Sequence, residues 1–360
     1  MDINSDKKIL FLINAGLGDV CHAMPILFAL YEKYPSIKVE LLFASKSAEE
    51  LTRLFFHQVT GIIASELNTL FRKIFQIIRW RRARFYYVIS GAHFDSPKTS
   101  LIARAVRAKQ SVGMRRERYS FLYDLPVTRL NGKHVFTDYA ALFQHVGISD
   151  TDIESGKRRF HEELGKIARS HRRPHLSAEP YRARIAFVNG ADTIIRGRWK
   201  PSLKRIPNSS LLGIFKGLKQ DLSTQFILLG VDEDTFPDEM KSDGEVIDLR
   251  GKTDIVDLIT ILHEADFLVC NDTGTMHLAH FCGTPYVALF GPTDAEIFAP
   301  EGLQVNIVQA HGACAPCQFD PICSAENCDL FEHVQVDRVV RLATDILSGK
   351  VTCPPDFNPT

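Results

Sequence analysis

Short runs of apolar, β-branched and aromatic residues recur along the chain, each followed by a polar or glycine-bearing loop and then by apolar residues at helical spacing. Lys8 to Ile13 predicts a buried strand, and a helix follows from about Val20. Val39 to Phe43 and Tyr86 to Ile89 predict further strands, with a helix around Ala48 to Phe56 after the first of them. The pattern returns later, with strands over Ile185 to Asn189, Phe226 to Gly230, Phe267 to Cys270 and Tyr286 to Phe290. Helices are predicted over Ser209 to Lys219, from Thr253 or Asp254 onward, over Thr275 to Phe281 and over Val334 to Leu347. Strands that read as continuous apolar runs suit parallel sheets covered on both faces, so the alternation predicts an α/β fold.

The most informative stretch runs from Thr253 to Asp294. Asn271-Asp272-Thr273-Gly274 breaks one apolar strand, and Gly291-Pro292-Thr293-Asp294 follows the next. Both loops fall at the carboxyl ends of parallel strands, where open α/β sheets bind ligands. Amides at the start of the Thr275 helix, with Gly274 permitting close approach and His277 in reach, make an anion site suited to a phosphate or diphosphate. The plainer alternative has Asp272 and Thr273 as helix caps and Gly291-Pro292 as a turn.

The first strand leads into Asn14-Ala15-Gly16-Leu17-Gly18-Asp19. This is not a dinucleotide fingerprint, because the third glycine is missing at the required spacing. Asp19 is either a helix cap or a general base. Pro25 is tolerated if the regular turns begin near Ala23. The loop after Asn189 holds Arg196, Arg198 and Trp199, and Asp232, Glu233 and Asp234 sit past a strand end, where they suit ribose hydroxyls or form a plain acidic surface loop.

A chain of 360 residues is long for one core and comfortable for two α/β domains. The charged, proline-punctuated stretch between His161 and Pro180 predicts a linker, hence a cleft between domains over 1–175 and 176–332, with a terminal helix and tail over 333–360. No run of eighteen apolar residues occurs, and MDINSDKKILFLIN is not an export signal, so the expected location is cytoplasmic. Zero net charge hides a division: residues 1–180 carry 28 Lys and Arg against 18 Asp and Glu, and residues 181–360 carry 15 against 25. The first half therefore suits an anionic partner. Nucleic acid is the weaker reading, since no nucleic-acid-binding signature accompanies the charge; a phosphorylated glycolipid or membrane surface fits as well. In Leu67 to Phe85, Phe71, Ile74, Phe75, Ile77 and Ile78 are interleaved with Arg72, Lys73, Arg79, Arg81, Arg82 and Arg84. That reads as a helix packed on a sheet with a solvated basic end, or as a face on anionic lipid with Trp80 at the interface. His93, Asp95 and the basic run from Arg104 to Arg118 are candidate acceptor contacts or ordinary surface.

Cys314, Cys317, Cys323 and Cys328 fall within fifteen residues, half of the chain's eight cysteines. In a cytosolic protein such a cluster favours a structural metal over disulfides, and four thiolates do not distinguish zinc from iron. Reduced cysteines in a folded loop are the alternative.

Read together, AGLGDVCHAMP at 15–25 and NDTGTMHLAHFCGTPYVALFGPTD at 271–294 resemble the bacterial ADP-heptose:lipopolysaccharide heptosyltransferase family, glycosyltransferase family 9. The resemblance implies GT-B architecture: two Rossmann-like domains with an intervening cleft, and a terminal helix that returns to the first domain. It also implies inverting transfer of heptose from ADP-heptose to a lipopolysaccharide core sugar, with no catalytic metal or other catalytic cofactor. By matching motif, Asp19 resembles the catalytic base, and Asp272, Thr273, Gly274 and His277 resemble the donor-binding loop. Arg198 resembles the basic residue before tryptophan that supports the donor phosphates, and Asp232 an acidic residue that binds the ribose. The chain departs from the family in carrying Ile13-Asn14 where many members have Arg or Lys, Arg198 where lysine is common, and Lys200 where proline is common. An autotransporter-modifying branch, with iron-bearing four-cysteine loops and ring-shaped oligomers, makes protein the alternative acceptor and a homo-oligomer an expected state. A same-fold transferase with a different nucleotide sugar and a noncatalytic nucleotide-sugar-binding scaffold also fit these motifs. Peripheral contact with the inner membrane is a further expectation.

Overall fold

The computed structural model describes residues 7–12, 16–91, 97–115, 120–128, 134–171, 183–191, 201–219, 224–300, 306–310, 316–317, 331 and 336–350. These form two six-stranded parallel sheets with the same topology.

The first sheet comprises β1 (Lys8–Leu12), β2 (Lys38–Phe43), β3 (Thr60–Ile63), β4 (Tyr87–Ser90), β5 (Gln110–Arg115) and β6 (Leu125–Thr128), in the order β3-β2-β1-β4-β5-β6. Its helices are α1 (Leu17–Lys33), α2 (Lys46–Phe55), α3 (Leu70–Ala83), α4 (Pro97–Val106), α5 (Val135–Gln144) and α6 (Asp150–Ser170). The second sheet comprises β7 (Ala183–Val188), β8 (Thr224–Leu229), β9 (Val246–Asp248), β10 (Phe267–Asn271), β11 (Tyr286–Phe290) and β12 (Ile307–Gln309), in the order β12-β11-β10-β7-β8-β9. Around it are α7 (Asn208–Lys219), α8 (Asp238–Lys241), α9 (Ile255–Glu264), α10 (Gly274–Cys282), α11 (Ala295–Phe298) and α12 (Val336–Leu347). Each sheet is doubly wound, reversing direction between β1 and β4 and between β7 and β10, so each half is Rossmann-like and the pair is that of GT-B architecture.

The chain divides into two compact units, Met1–Phe160 and His161–Thr360, and the division falls inside α6. The stretch from His161 to Ser170 is therefore helix, not the linker its charge predicts: Phe160, Leu164 and Ala168 are buried at spacings of four on the face opposite its charged residues. The central strands form the cores. All five residues of both β10 and β11 are buried, as parallel strands covered on both faces require. Val339, Ala343 and Ile346 of α12 close the core of the second unit beside Leu211, Ile214 and Leu218 of α7.

Two local readings need correction. Helix α1 begins at Leu17, three residues early, so Pro25 lies inside a regular helix, where its ring deprives the preceding turn of one amide donor. Helix α3 buries only Gln76 and Trp80 fully; Trp80 is 1% exposed and donates Nε1–H to Glu40 Oε1 at 2.7 Å. The indole belongs to the core and not to a lipid interface, while the phenylalanines expected to pack inward are exposed. No described helix is long and apolar enough to cross a membrane.

Candidate active site

Both switch points place polar residues at the carboxyl edge of a sheet. In the second unit, Asn271 ends β10 wholly buried, and its Nδ2 donates to the carbonyl oxygens of Gly190 at 2.7 Å and Lys204 at 2.9 Å. Asn189, equally buried just past β7, donates to Ile206 O at 3.0 Å and accepts from Ile206 N at 2.7 Å. Two asparagines thus fasten Gly190, just past β7, and the short 3₁₀ turn Pro201–Lys204 with the Ile206 that follows it to the ends of β10 and β7. Satisfying those buried carbonyls and amides fixes the loops from below.

The same turn delivers Lys204, whose Nζ lies 2.6 Å from Asp272 Oδ2. Asp272 is 7% exposed. Burial opposes its charge, yet the Lys204 ammonium, assisted by the Thr293 hydroxyl and by His277, holds the carboxyl below the usual carboxylate range. Asp272 is therefore an anion at neutral pH. Thr273 occupies the cap position of α10 in extended backbone, but its side chain makes no cap bond. The helix start is not closed by its own cap, and Gly274 leaves its first position without a side chain. His277 lies one turn in and is 6% exposed. Helix α10 ends at Gly283, whose φ of +79° suits glycine.

Past β8 the acidic run separates into different environments. Asp232 is exposed and lies over Gly251, where a Cβ would come within 2.2 Å of its Oδ1. Asp234 is buried, its Oδ2 accepting from Val231 N at 3.0 Å and its Oδ1 from Arg205 Nη2 at 3.3 Å. Burial lifts the Asp234 carboxyl above its ordinary range against the pull of the Val231 amide and Arg205.

In the first unit, Gly16 occupies the cap position of α1, so Asp19 is not the cap but a first-turn carboxylate, favoured there by the helix dipole. Tyr139 of α5 donates its hydroxyl to Asp19 Oδ1 at 3.3 Å. Burial first, and then the Asp19 charge, push the Tyr139 phenol well above its ordinary value, so it stays a protonated donor. His22, one turn beyond Asp19, is buried with its ring centroid 5.6 Å from that of His134.

The structure thus groups Asp272, Thr273, Gly274 and His277 at one strand end and sets Asp232 two strands away on the same edge of the sheet. Arg198 lies outside the described residues, as do Cys314, Cys323 and Cys328; Cys317 is buried in the second core, its amide donating to Pro292 O at 2.9 Å. Among the described residues no three His, Cys, Asp or Glu side chains converge as metal ligands. His93, Asp95 and Arg116 to Arg118 are also outside the described set. Sequence reasoning missed Lys204 and Tyr139, because neither stands in a motif and each reaches its aspartate from a distant element.

Paired, doubly wound parallel units with polar loops at the switch points define a protein of GT-B architecture. A family model, glycosyltransferase family 9 (heptosyltransferase), matches residues 81–327, and the chain belongs to that family. It is 23% identical over 316 residues to lipooligosaccharide heptosyltransferase 2 of Haemophilus ducreyi, covering 84% of this chain and 88% of that protein. Among solved structures it is similar to a glycosyl transferase family 9 protein of Veillonella parvula, with a TM-score of 0.70 at 17% identity over 97% of this chain and 99% of that one. It is also similar to the E. coli ADP-heptose LPS heptosyltransferase II, with a TM-score of 0.64 at 19% identity over 95% and 99% of the two chains.

Proposed function

We propose that the chain is an inverting, metal-independent glycosyltransferase that moves heptose from ADP-heptose to a lipopolysaccharide core sugar. The observation that carries this reading is the loop after β10, where a charged, buried Asp272 adjoins a helix start that its own Thr273 leaves uncapped. A carboxylate that is both desolvated and ionised accepts strongly from sugar hydroxyls. The amides of α10, with Gly274 giving access, suit the diphosphate beside them. His277 and Arg198 add donors to that diphosphate, and Asp232 accepts from the ribose.

Asp19 is the base in this scheme. The acceptor hydroxyl loses its proton to the Asp19 carboxylate as its oxygen attacks the anomeric carbon from the face opposite the leaving ADP, which inverts that centre. Charge developing on the departing diphosphate is met by Arg198 and the α10 dipole, so the scheme requires no divalent cation. The segment 1–175 serves as the acceptor side and 176–332 as the donor side, while the helix of 333–360, expected to return to the first domain, packs instead on α7 in the second core. The protein works in the cytoplasm, in peripheral contact with the inner membrane.

Turnover of ADP-heptose by native protein and by Asp19→Ala, offered lipid-core and protein acceptors with and without chelator, tests this. Acceptor-dependent ADP release that survives chelation and collapses in the variant is the expected result; absence of ADP-heptose binding overturns it. The four-cysteine cluster favours a second reading, a homo-oligomeric protein heptosyltransferase of the autotransporter-modifying kind with structural zinc or iron on Cys314, Cys317, Cys323 and Cys328. Elemental analysis finding one metal per chain, lost in Cys323→Ser, together with turnover only on protein acceptors, would select it.

A further inference from the structure

Helix α3 presents an apolar stripe that no other described residue covers. Leu70, Phe71, Ile74, Phe75 and Ile78 share one side and are 42% to 78% exposed, while Gln76 and Trp80 on the other side are buried. These five are most of the large apolar side chains exposed among the described residues. Leu101 and Phe121 are also exposed, the first on α4, which packs beside α3, and the second on the 3₁₀ turn Ser120–Leu122, which packs beside α4. Single exposed apolar residues are ordinary; a concentration of this kind marks an interaction surface.

The charges around the stripe select its occupant. Helix α3 contains no acidic residue. Arg81 and Arg82 continue the stripe one turn beyond Ile78, and these three with Arg84 line a shallow depression of ≈ 460 Å³. Arg79 pairs with Glu40, whereas Lys73, Arg81, Arg82 and Arg84 make no ion pair among the described residues. An apolar protein groove would leave those cations unmatched. A bilayer with anionic headgroups supplies an apolar boundary for the rings and phosphates for the guanidinium groups together.

We propose that α3 is the surface by which this protein rests on an anionic phospholipid bilayer, lying in the interfacial plane with Phe71 and Phe75 at the acyl boundary and Arg81, Arg82 and Arg84 on headgroup phosphates. This deepens the membrane-contact part of the proposed function by naming its surface. Its test needs neither donor nor acceptor, so failure here and failure of the transferase reading are separate results.

The full chain is sedimented with vesicles of phosphatidylcholine alone and of phosphatidylcholine with phosphatidylglycerol. Binding is expected to the anionic vesicles only and to weaken as salt rises. Phe71→Ser with Phe75→Ser lowers that binding by at least about tenfold, and Arg81→Gln and Arg82→Gln lower it about fivefold each. All four positions are exposed, and far-ultraviolet circular dichroism checks that the variants remain folded. Native protein that ignores anionic vesicles, or variants that bind as native does, overturns the proposal. So does an oligomer in sedimentation velocity that Phe71→Ser with Phe75→Ser reduces to a smaller species, because a second copy of the chain would then cover the stripe.

Discussion

Replacing Lys204 by methionine keeps most of the aliphatic stem and removes the charge that lies 2.6 Å from Asp272. At an effective dielectric constant of about 20, the attraction across that distance is roughly 6 kcal/mol. Much of it offsets the desolvation of side chains that are only 23% and 8% exposed. The pair is therefore worth little net, but breaking it is costly: a buried carboxylate left without its cation loses about 3–5 kcal/mol of stability, and the partial exposure of Lys204 points to the lower end, about 3 kcal/mol. The pH dependence carries its own sign. In the native protein the Asp272 carboxyl is held below its unfolded range, so its contribution is present above the unfolded value and is lost as pH falls through the lower folded one. Without Lys204, burial dominates and the folded carboxyl titrates above the unfolded one. The deficit of Lys204→Met is then largest at neutral pH and shrinks on acidification by about 1.4 kcal/mol per pH unit, across the window where only the folded variant holds the proton. Adding Asp272→Asn removes the stranded charge and restores at least half of the loss.

The two units need not unfold together, so hydrogen exchange at the core amides of β7 and β10, corrected for intrinsic rate and measured at several pH values, is the appropriate assay. A deficit below about 1 kcal/mol at pH 7, a deficit independent of pH, or a double variant whose losses simply add would each refute the reasoning.

Tyr139→Phe removes a donor from Asp19; kcat/KM falls roughly fivefold and the acid limb of its pH profile moves upward, because a carboxylate that loses a donor is easier to protonate. Gly156→Ala sets a Cβ 2.0 Å from the Pro25 carbonyl oxygen and destabilises the first unit by at least about 1–3 kcal/mol in thermal melts, since backbone must move. Gly217→Ala meets only the Val340 side chain, with Cγ2 at 2.7 Å and Cγ1 at 3.2 Å; a side chain gives more readily than backbone, so the change costs less than Gly156→Ala in the same assay. The Asp152 carboxyl, lowered to about 2 by its hydrogen bond with Lys33, returns toward its ordinary value in Lys33→Met when followed by NMR titration. Stability changes there by less than about 1 kcal/mol, because both side chains are partly solvated.

How much of the fold is legible in the sequence follows from how burial constrains residue choice. Tyr286–Phe290 is found where predicted, and Phe267–Asn271 runs one residue longer than predicted, because a strand covered on both faces must be apolar throughout. Edge strands carry no such mark: β9 is three residues, none fully buried, and leaves no signal. Helix α6 is misread over its second half because a 21-residue amphipathic helix exposes most of its length, and its charged residues outnumber the buried positions. Helix α3 shows the reverse error, since a hydrophobic pattern states which residues share a face and not whether anything covers that face.

The candidate site divides in the same manner. Asp19 and Asp272 are legible because both stand just past the carboxyl end of a central strand, Asp19 in the first turn of α1 and Asp272 in the loop before α10. Their partners are not, because a pairing such as Lys204 with Asp272 exists only once Asn271 has drawn the carbonyls of Gly190 and Lys204 onto one strand end. The consequence is specific to this chain. Lys204→Arg looks conservative on paper, but the site holds one compact ammonium 2.6 Å from a carboxylate that is itself nearly inaccessible. A planar guanidinium needs a wider opening to present its fork. Either the 3₁₀ turn shifts, loosening the Asn271 bonds that position the loop, or the charge moves away and Asp272 tends toward the neutral acid. The ionisation state of the loop after β10 is thus set from a residue that no motif contains.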